Sequence, residues 1–103
     1  MTDDLDIPLQ FRHEEQDGKG SFTAWDGDTR AALVAYSRLS PTELLVDHTE
    51  TFPGYQGRGL GQRIVLHVFA WARSNNHKLM PLCPYTRTVF DRFPEWGDVR
   101  TRL

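Results

Sequence analysis

Phe52-Pro53-Gly54-Tyr55-Gln56-Gly57-Arg58-Gly59-Leu60-Gly61, near the middle of a 103-residue chain, is where the period of the sequence changes. Before it, apolar residues alternate with polar ones, the pattern of strands. After it, Leu60, Ile64, Val65, Val68, Phe69, Trp71 and Ala72 recur at helical spacing, with Gln62, Arg63, His67, Ala70 and Arg73 on the other side. The quoted stretch therefore reads as a glycine turn between a strand and an amphipathic helix. Glycine admits positive φ and lets a ligand approach without meeting a Cβ. The first amides of a helix have no internal partner and are backed by a macrodipole of about half a charge. A pyrophosphate is the natural guest, with Arg58 a cation beside it. The plainer alternative is a turn that only tightens the junction. Three glycines, a glutamine and an arginine at one helix start favour the anion site.

Outward from the turn, the first half reads as an antiparallel meander. Leu9, Phe11 and His13 alternate with Gln10, Arg12 and Glu14, and Asp17-Gly18 is a tight hairpin signal. A returning strand is expected over 21–25, then a strand over 31–36 that is apolar on both faces, as a central strand would be. Ser40-Pro41-Thr42 makes a turn into a fourth strand over 43–50. Beyond the helix, Asn75-Asn76 is a stop, and residues 78–83 read as a fifth strand in which Pro81 implies an edge. A short helix carrying Val89, Phe90 and Phe93 then runs to Pro94. Strand, helix, strand requires a right-handed crossover, so the fourth and fifth strands are expected to be parallel. The fold class is α+β: a mixed sheet with a helix on at least one face, in one domain over 9–103 after a solvated tail over 1–8.

Composition narrows the function. The chain is 39% hydrophobic and 25% charged, with twelve aromatic residues, ordinary values for a small domain with its own core. The formal charge is −2, and Lys and Arg are scattered without a block, unlike a nucleic-acid binder. No apolar run reaches membrane-spanning length, and the opening Met1-Thr2-Asp3-Asp4-Leu5-Asp6 is acidic, unlike a targeting signal. A single cysteine, Cys83, offers no internal disulfide, and a cytoplasmic setting is expected. His13, His67 and His77 lack metal spacing, so no metal site is expected. An edge strand leaves both self-pairing and a single chain open.

A nucleotide loop of the Walker type would need Lys and Ser or Thr after its last glycine, but Leu60-Gly61 follow Gly59. The dinucleotide pattern fails as well, because Gln62 stands where its third glycine belongs. Gln56-Gly57-Arg58-Gly59-Leu60-Gly61 does resemble the Q/R-x-x-G-x-G/A signature of the GNAT superfamily of N-acetyltransferases. Asp47-His48-Thr49-Glu50, Pro81-Leu82-Cys83-Pro84-Tyr85 and Phe93-Pro94-Glu95-Trp96 extend the likeness to that superfamily's short, single-domain branch, from about Leu9 to Trp96. The resemblance implies a minimal GNAT-like fold and acetyl-CoA or coenzyme A as cofactor. It places Gln56, Gly57, Arg58, Gly59, Leu60 and Gly61 on the pyrophosphate, and Thr51 and Phe52 beside the thioester, their amides facing its oxygen. It also shows a departure. Only Asp17-Gly18 separates the first two strands, where larger members carry a helical segment that shapes the acceptor site, so an open, shallow acceptor side is implied.

Acetyl transfer from a thioester to an amine needs a neutral amine, a stabilised oxygen and a proton for the departing thiolate. His48 and Glu50, two apart on a strand, are expected on one face with Leu44 and Val46, and either can accept the ammonium proton. A solvated strand end is the bland alternative. Cys83 is expected beside the thioester, where a thiolate can take the acetyl group or form a mixed disulfide with coenzyme A. A lowered pKa there requires the helix start after Pro84 to face the sulfur. An inert core thiol is the alternative. The resemblance gives Tyr85 the role of protonating the leaving thiolate; a phenol packed under the last helix is the other reading. The function implied is an acetyl-CoA-dependent N-acetyltransferase acting on a primary amine, on a small molecule, a protein lysine or a protein N-terminus. A coenzyme A-binding module with little catalysis, and a scaffold with a merely structural turn, are the rivals.

Overall fold

Asp17 and Gly18 both adopt positive φ, 55° and 80°, closing a two-residue hairpin between paired Gln16 and Lys19. Its backbone twist matches that of the flanking strands. The computed structural model describes residues 8–101; apart from Pro8 the expected tail lies outside the described residues. Strands β1 (Gln10–Gln16), β2 (Lys19–Asp26), β3 (Thr29–Ser40) and β4 (Glu43–Thr51) form the antiparallel meander. Helix α1 (Leu60–Ser74) carries the chain across to β5 (Lys78–Pro81), parallel to β4, so the sheet order is β1-β2-β3-β4-β5. Helix α2 (Pro84–Arg92) and a 3-10 helix, Pro94–Val99, complete the described chain. That last turn carries no strong signal in the sequence. Phe93 caps α2 rather than extending it.

The core lies between the sheet and α1. Phe22, Ala24, Ala32, Val34, Tyr36, Leu44, Val46 and Leu79 meet Leu60, Ile64, Val65, Val68, Phe69 and Ala72, all buried. Phe69 stacks on Phe90 of α2 with ring centroids 4.0 Å apart. Each large side chain so buried contributes about 2 kcal/mol. The central strand is not apolar-covered on both sides: Leu33 and Ala35 of β3 are only half-buried, on the face opposite α1. His67 also departs from its expected polar face, stacking on Phe11 at 4.0 Å.

The register of β4 carries a consequence for the site. Ala35 pairs with His48 and Tyr36 with Val46, so Asp47 is an extra, bulged residue. One extra residue reverses the direction of every later side chain. Leu44 and Val46 face α1, and Thr49 and Thr51, opposite Val34 and Ala32, face it again. His48 and Glu50, opposite Ala35 and Leu33, face away, which corrects the expectation that they share a face with Leu44 and Val46. The Ser37 hydroxyl donates to Asp47 Oδ2 at 2.9 Å and holds the bulge.

Pairing of β5 with β4 ends at Val46↔Pro81, two residues before the strand end expected at Cys83. The amides of Leu82 and Cys83 both turn to the carbonyl of Val46, each at 3.0 Å, and the two chains then part. On its outer side β5 receives the amide of Thr101 at the carbonyl of Leu79, 2.8 Å away. No helix among the described residues is long and apolar enough to cross a membrane.

Candidate active site

Gly54, Gly57 and Gly59 have φ of 92°, 77° and 75°, a region that other residues enter only with strain. Gly59 is the N-cap of α1; no side chain caps the helix and no carboxylate stands in its first turn. The first internal bond runs from the Arg63 amide to the Gly59 carbonyl (3.1 Å), which leaves the amides of Leu60, Gly61 and Gln62 directed outward. Gln56 and Arg58 brace the turn. Gln56 Nε2 donates to the Thr51 carbonyl (3.2 Å) and Arg58 Nη1 to that of Gly54 (3.2 Å). Tyr55 anchors it from outside, donating to Asp26 Oδ2 at 2.8 Å.

Beside these amides runs an open cleft of about 420 Å³, lined by Thr49, Thr51, Tyr55, Gly57, Gly59, Leu60, Gly61 and Tyr85. Gly61 allows close approach here. A Cβ on it would lie 3.3 Å from the Tyr85 ring and 3.4 Å from the Thr51 hydroxyl. Tyr85 belongs to the first turn of α2, which also lacks a carboxylate, so two positive helix ends flank one cleft. A larger hollow of about 740 Å³ lies at the outer side of β5, between Met80, Phe90 and Arg100, with no residue of the glycine turn or of α1 in its lining.

The gap between β4 and β5 adds a further donor. The Phe52 amide is spent on the Ala31 carbonyl at 3.0 Å, so it cannot serve a bound oxygen. Strand alternation then turns the Thr51 amide the other way, toward the gap.

Cys83, 6% exposed, stands at the N-cap of α2, ahead of Pro84. Its Sγ donates to Thr49 Oγ1 at 3.6 Å, and Thr49 Oγ1 lies 3.5 Å from the hydroxyl of Thr86, which is 1% exposed. Burial alone would push the Cys83 thiol up. The Thr86 amide, the Thr49 and Thr86 hydroxyls and the Tyr85 amide together outweigh it and hold the thiol below its ordinary value. No side-chain cap hydrogen bond closes there, so the helix acts on the sulfur through the orientation of its first amides. Burial raises the Tyr85 phenol, Arg92 lowers it in part and Cys83 raises it again; the net is upward, and the phenol keeps its proton at neutral pH.

The structure thus brings together Thr51, Gly57, Gly59, Leu60, Gly61 and Tyr85 on one cleft. Cys83 lies behind the lining, bonded to Thr49. His48 and Glu50 are not among them. They pair at 3.4 Å on the opposite, open face, with side chains 60% and 47% exposed. Thr49 and Thr86 are missing from the residues singled out in the sequence. Thr49 is hidden by the bulge, and nothing in the string Pro84-Tyr85-Thr86 announces a buried hydroxyl. Among the described residues no three His, Cys, Asp or Glu side chains gather closely enough to hold a metal ion.

A family model of GCN5-related N-acetyl-transferases matches residues 21–99, well over half of the chain. The chain belongs to the GCN5-related N-acetyltransferase family. A GCN5-like protein from Staphylococcus aureus, solved in solution, has the same fold, with TM-score 0.62 at 23% identity over 89% of each chain. A Bacillus subtilis acetyltransferase crystallised with CoA gives 0.64 at 13% identity, over 82% of this chain and 74% of its own. The ribosomal-protein-S18-alanine N-acetyltransferase of Escherichia coli gives 0.62 at 14% identity, over 76% of this chain but only 53% of its own. A search of curated protein sequences returns no match to the chain. For this N-acetyltransferase the chemistry of the cleft fits coenzyme A: outward amides for a pyrophosphate, no opposing carboxylate in either first turn, and a groove along β4 for a narrow thiol arm.

Proposed function

We propose that this N-acetyltransferase moves the acetyl group of acetyl-CoA onto a primary amine, in the cytoplasm. The observation that carries the reading is the convergence of two uncapped helix starts, neither with a carboxylate in its first turn, on one cleft. Gly57, Gly59, Leu60 and Gly61 would hold the pyrophosphate, with Arg58 beside it and Gln56 keeping the turn in place. Acetyl-CoA supplies its acetyl group as a thioester, whose C–S bond gives way to the new C–N bond.

The chain's own residues supply three things. The Thr51 amide, directed into the gap between β4 and β5, faces the oxygen that gains charge. Tyr85 Oη keeps its proton at neutral pH and delivers it to the departing sulfur. On the open face His48 or Glu50 takes the proton of the ammonium acceptor, through water, with the separated strands as the passage between the faces. That face carries no covering element among the described residues, which suits a lysine side chain, a protein N-terminus or a small polyamine. A second route has one observation in its favour. The lowered Cys83 thiol can attack the acetyl group itself and pass it to the amine.

The test is release of free thiol from acetyl-CoA in the presence of a polyamine, a lysine peptide and a peptide with a free N-terminus. Amine-dependent release that falls about a hundredfold in Tyr85→Phe supports direct transfer. A stable gain of one acetyl group on the protein, lost in Cys83→Ala, supports the second route. Binding of the cofactor with no release for any amine would leave a coenzyme A-binding module.

A further inference from the structure

Arg92, at the end of α2, reaches the first turn of α1 and donates to Gln62 Oε1. Gln62 follows Gly61 of the cleft lining in the first turn of α1, so the guanidinium is held next to the start of that helix, outside the lining itself. Its charge is close enough to act on the Tyr85 phenol in the cleft wall. The partner is a neutral amide. The ion pairs of the described residues join Arg38 to Glu15, Arg73 to Asp98, Arg100 to Asp91 and His48 to Glu50, and Arg92 is in none of them. Gln62 fixes the position of the cation without neutralising it, an arrangement that suits an anion arriving from outside.

We propose that Arg92, positioned by Gln62, binds the 3′-phosphate of the cofactor's ribose, so that the site distinguishes coenzyme A from 3′-dephospho-coenzyme A. This rests on the cofactor reading above. With the thiol arm along Thr49 and Thr51 and the pyrophosphate on the glycine turn, the nucleoside leaves by the mouth, past Gln62. A phosphate monoester there carries close to two negative charges and accepts two parallel bonds from a guanidinium. The pyrophosphate, already met by helix amides, needs no help from Arg92. The two ends of the ligand are therefore recognised by separate groups, and the preference for coenzyme A resides in one side chain.

Calorimetric titration of the wild-type protein, Arg92→Gln and Arg92→Lys with both ligands, at low ionic strength, tests this. The wild type is expected to bind coenzyme A about tenfold more tightly than the dephospho form. In Arg92→Gln that ratio falls to about one, with affinity for the dephospho form unchanged, and Arg92→Lys lies between. Melting curves verify that each variant is folded. Equal binding of both ligands by the wild type, or an equal loss of both in Arg92→Gln, overturns the assignment while leaving the cofactor site intact. Binding of neither ligand by the folded wild type overturns both.

Discussion

Gly20 lies directly beneath Tyr36: a Cβ there would stand 2.4 Å from both Cζ and the hydroxyl oxygen, and 2.7 Å from the Glu14 carbonyl. The ring cannot retreat, because its hydroxyl donates to Glu15 Oε1 at 2.6 Å and lies 2.6 Å from His13 Nε2. With that one hydrogen spent, His13 is the donor in the second bond and carries its proton on Nε2. Gly20→Ala is therefore expected to destabilise the fold by about 2 kcal/mol, read as a lower denaturation midpoint. At the site, Thr86 is the corresponding residue. Its amide and hydroxyl both favour the Cys83 thiolate against the cost of burial. Thr86→Val removes only the hydroxyl and should move the midpoint of Cys83 alkylation against pH upward. An unchanged midpoint would leave the helix amides and the Thr49 hydroxyl as the cause. Neither effect is legible in the sequence, where Gly20 falls between the Asp17-Gly18 turn and the strand expected over 21–25, and Thr86 is a polar residue in a short helix.

Among the elements, β1 is tied to β3 by Glu15, which receives Arg38 Nε at 2.8 Å and Nη2 at 3.0 Å as well as the Tyr36 hydroxyl. The Arg38 bond first, and then the Tyr36 bond, pull the Glu15 carboxyl down from 4.5 to about 2. A depressed carboxyl binds fewer protons in the folded state, so its stabilisation is present above the unfolded value and is lost as pH falls from about 4.5 toward 2. His13 and His67 are both lowered chiefly by burial, so stability starts to fall earlier, as pH drops through 6.5. Denaturant midpoints between pH 7 and 3 should thus decline in two stages; Glu15→Gln should flatten the acid stage and steepen the first, because the Glu15 charge is what holds His13 up against burial.

Helix α1 is legible to the residue, Leu60 to Ser74, because its stripe, the glycines before it and Asn75-Asn76 after it all agree. The Asp17-Gly18 turn is equally plain, since its type demands two residues that tolerate positive φ. The bulge at Asp47 is not. An alternating strand looks the same with or without an extra residue, and only its partner's register reveals which face His48 and Glu50 take. The early end of β5 is half-announced by Pro81, but the shared use of the Val46 carbonyl by Leu82 and Cys83 is a tertiary fact.

For the molecule as a whole, the sheet has one covered face and one open face, and the proposed reaction uses both. The helices cover one side of the sheet and deliver two positive ends to the cofactor cleft. The other side presents His48 and Glu50 beside half-buried Leu33 and Ala35. The separation of β4 from β5 connects them, and it exists because pairing stops at Pro81 and the chain enters α2. The resemblance of residues 56–61 to the family's glycine signature points to the proposed cofactor end in the sequence. The proposed acceptor face is assembled from β3 and β4, which no contiguous motif encodes.

Calorimetric titration of the purified protein with acetyl-CoA and coenzyme A, with ATP as the control, tests the cofactor cleft most directly. Saturable binding of one equivalent of each coenzyme A form, absent for ATP and lost in a folded Gly59→Glu variant, is the result that the two converging helix starts require. No binding by the folded wild-type protein, or unchanged binding by folded Gly59→Glu, would contradict it.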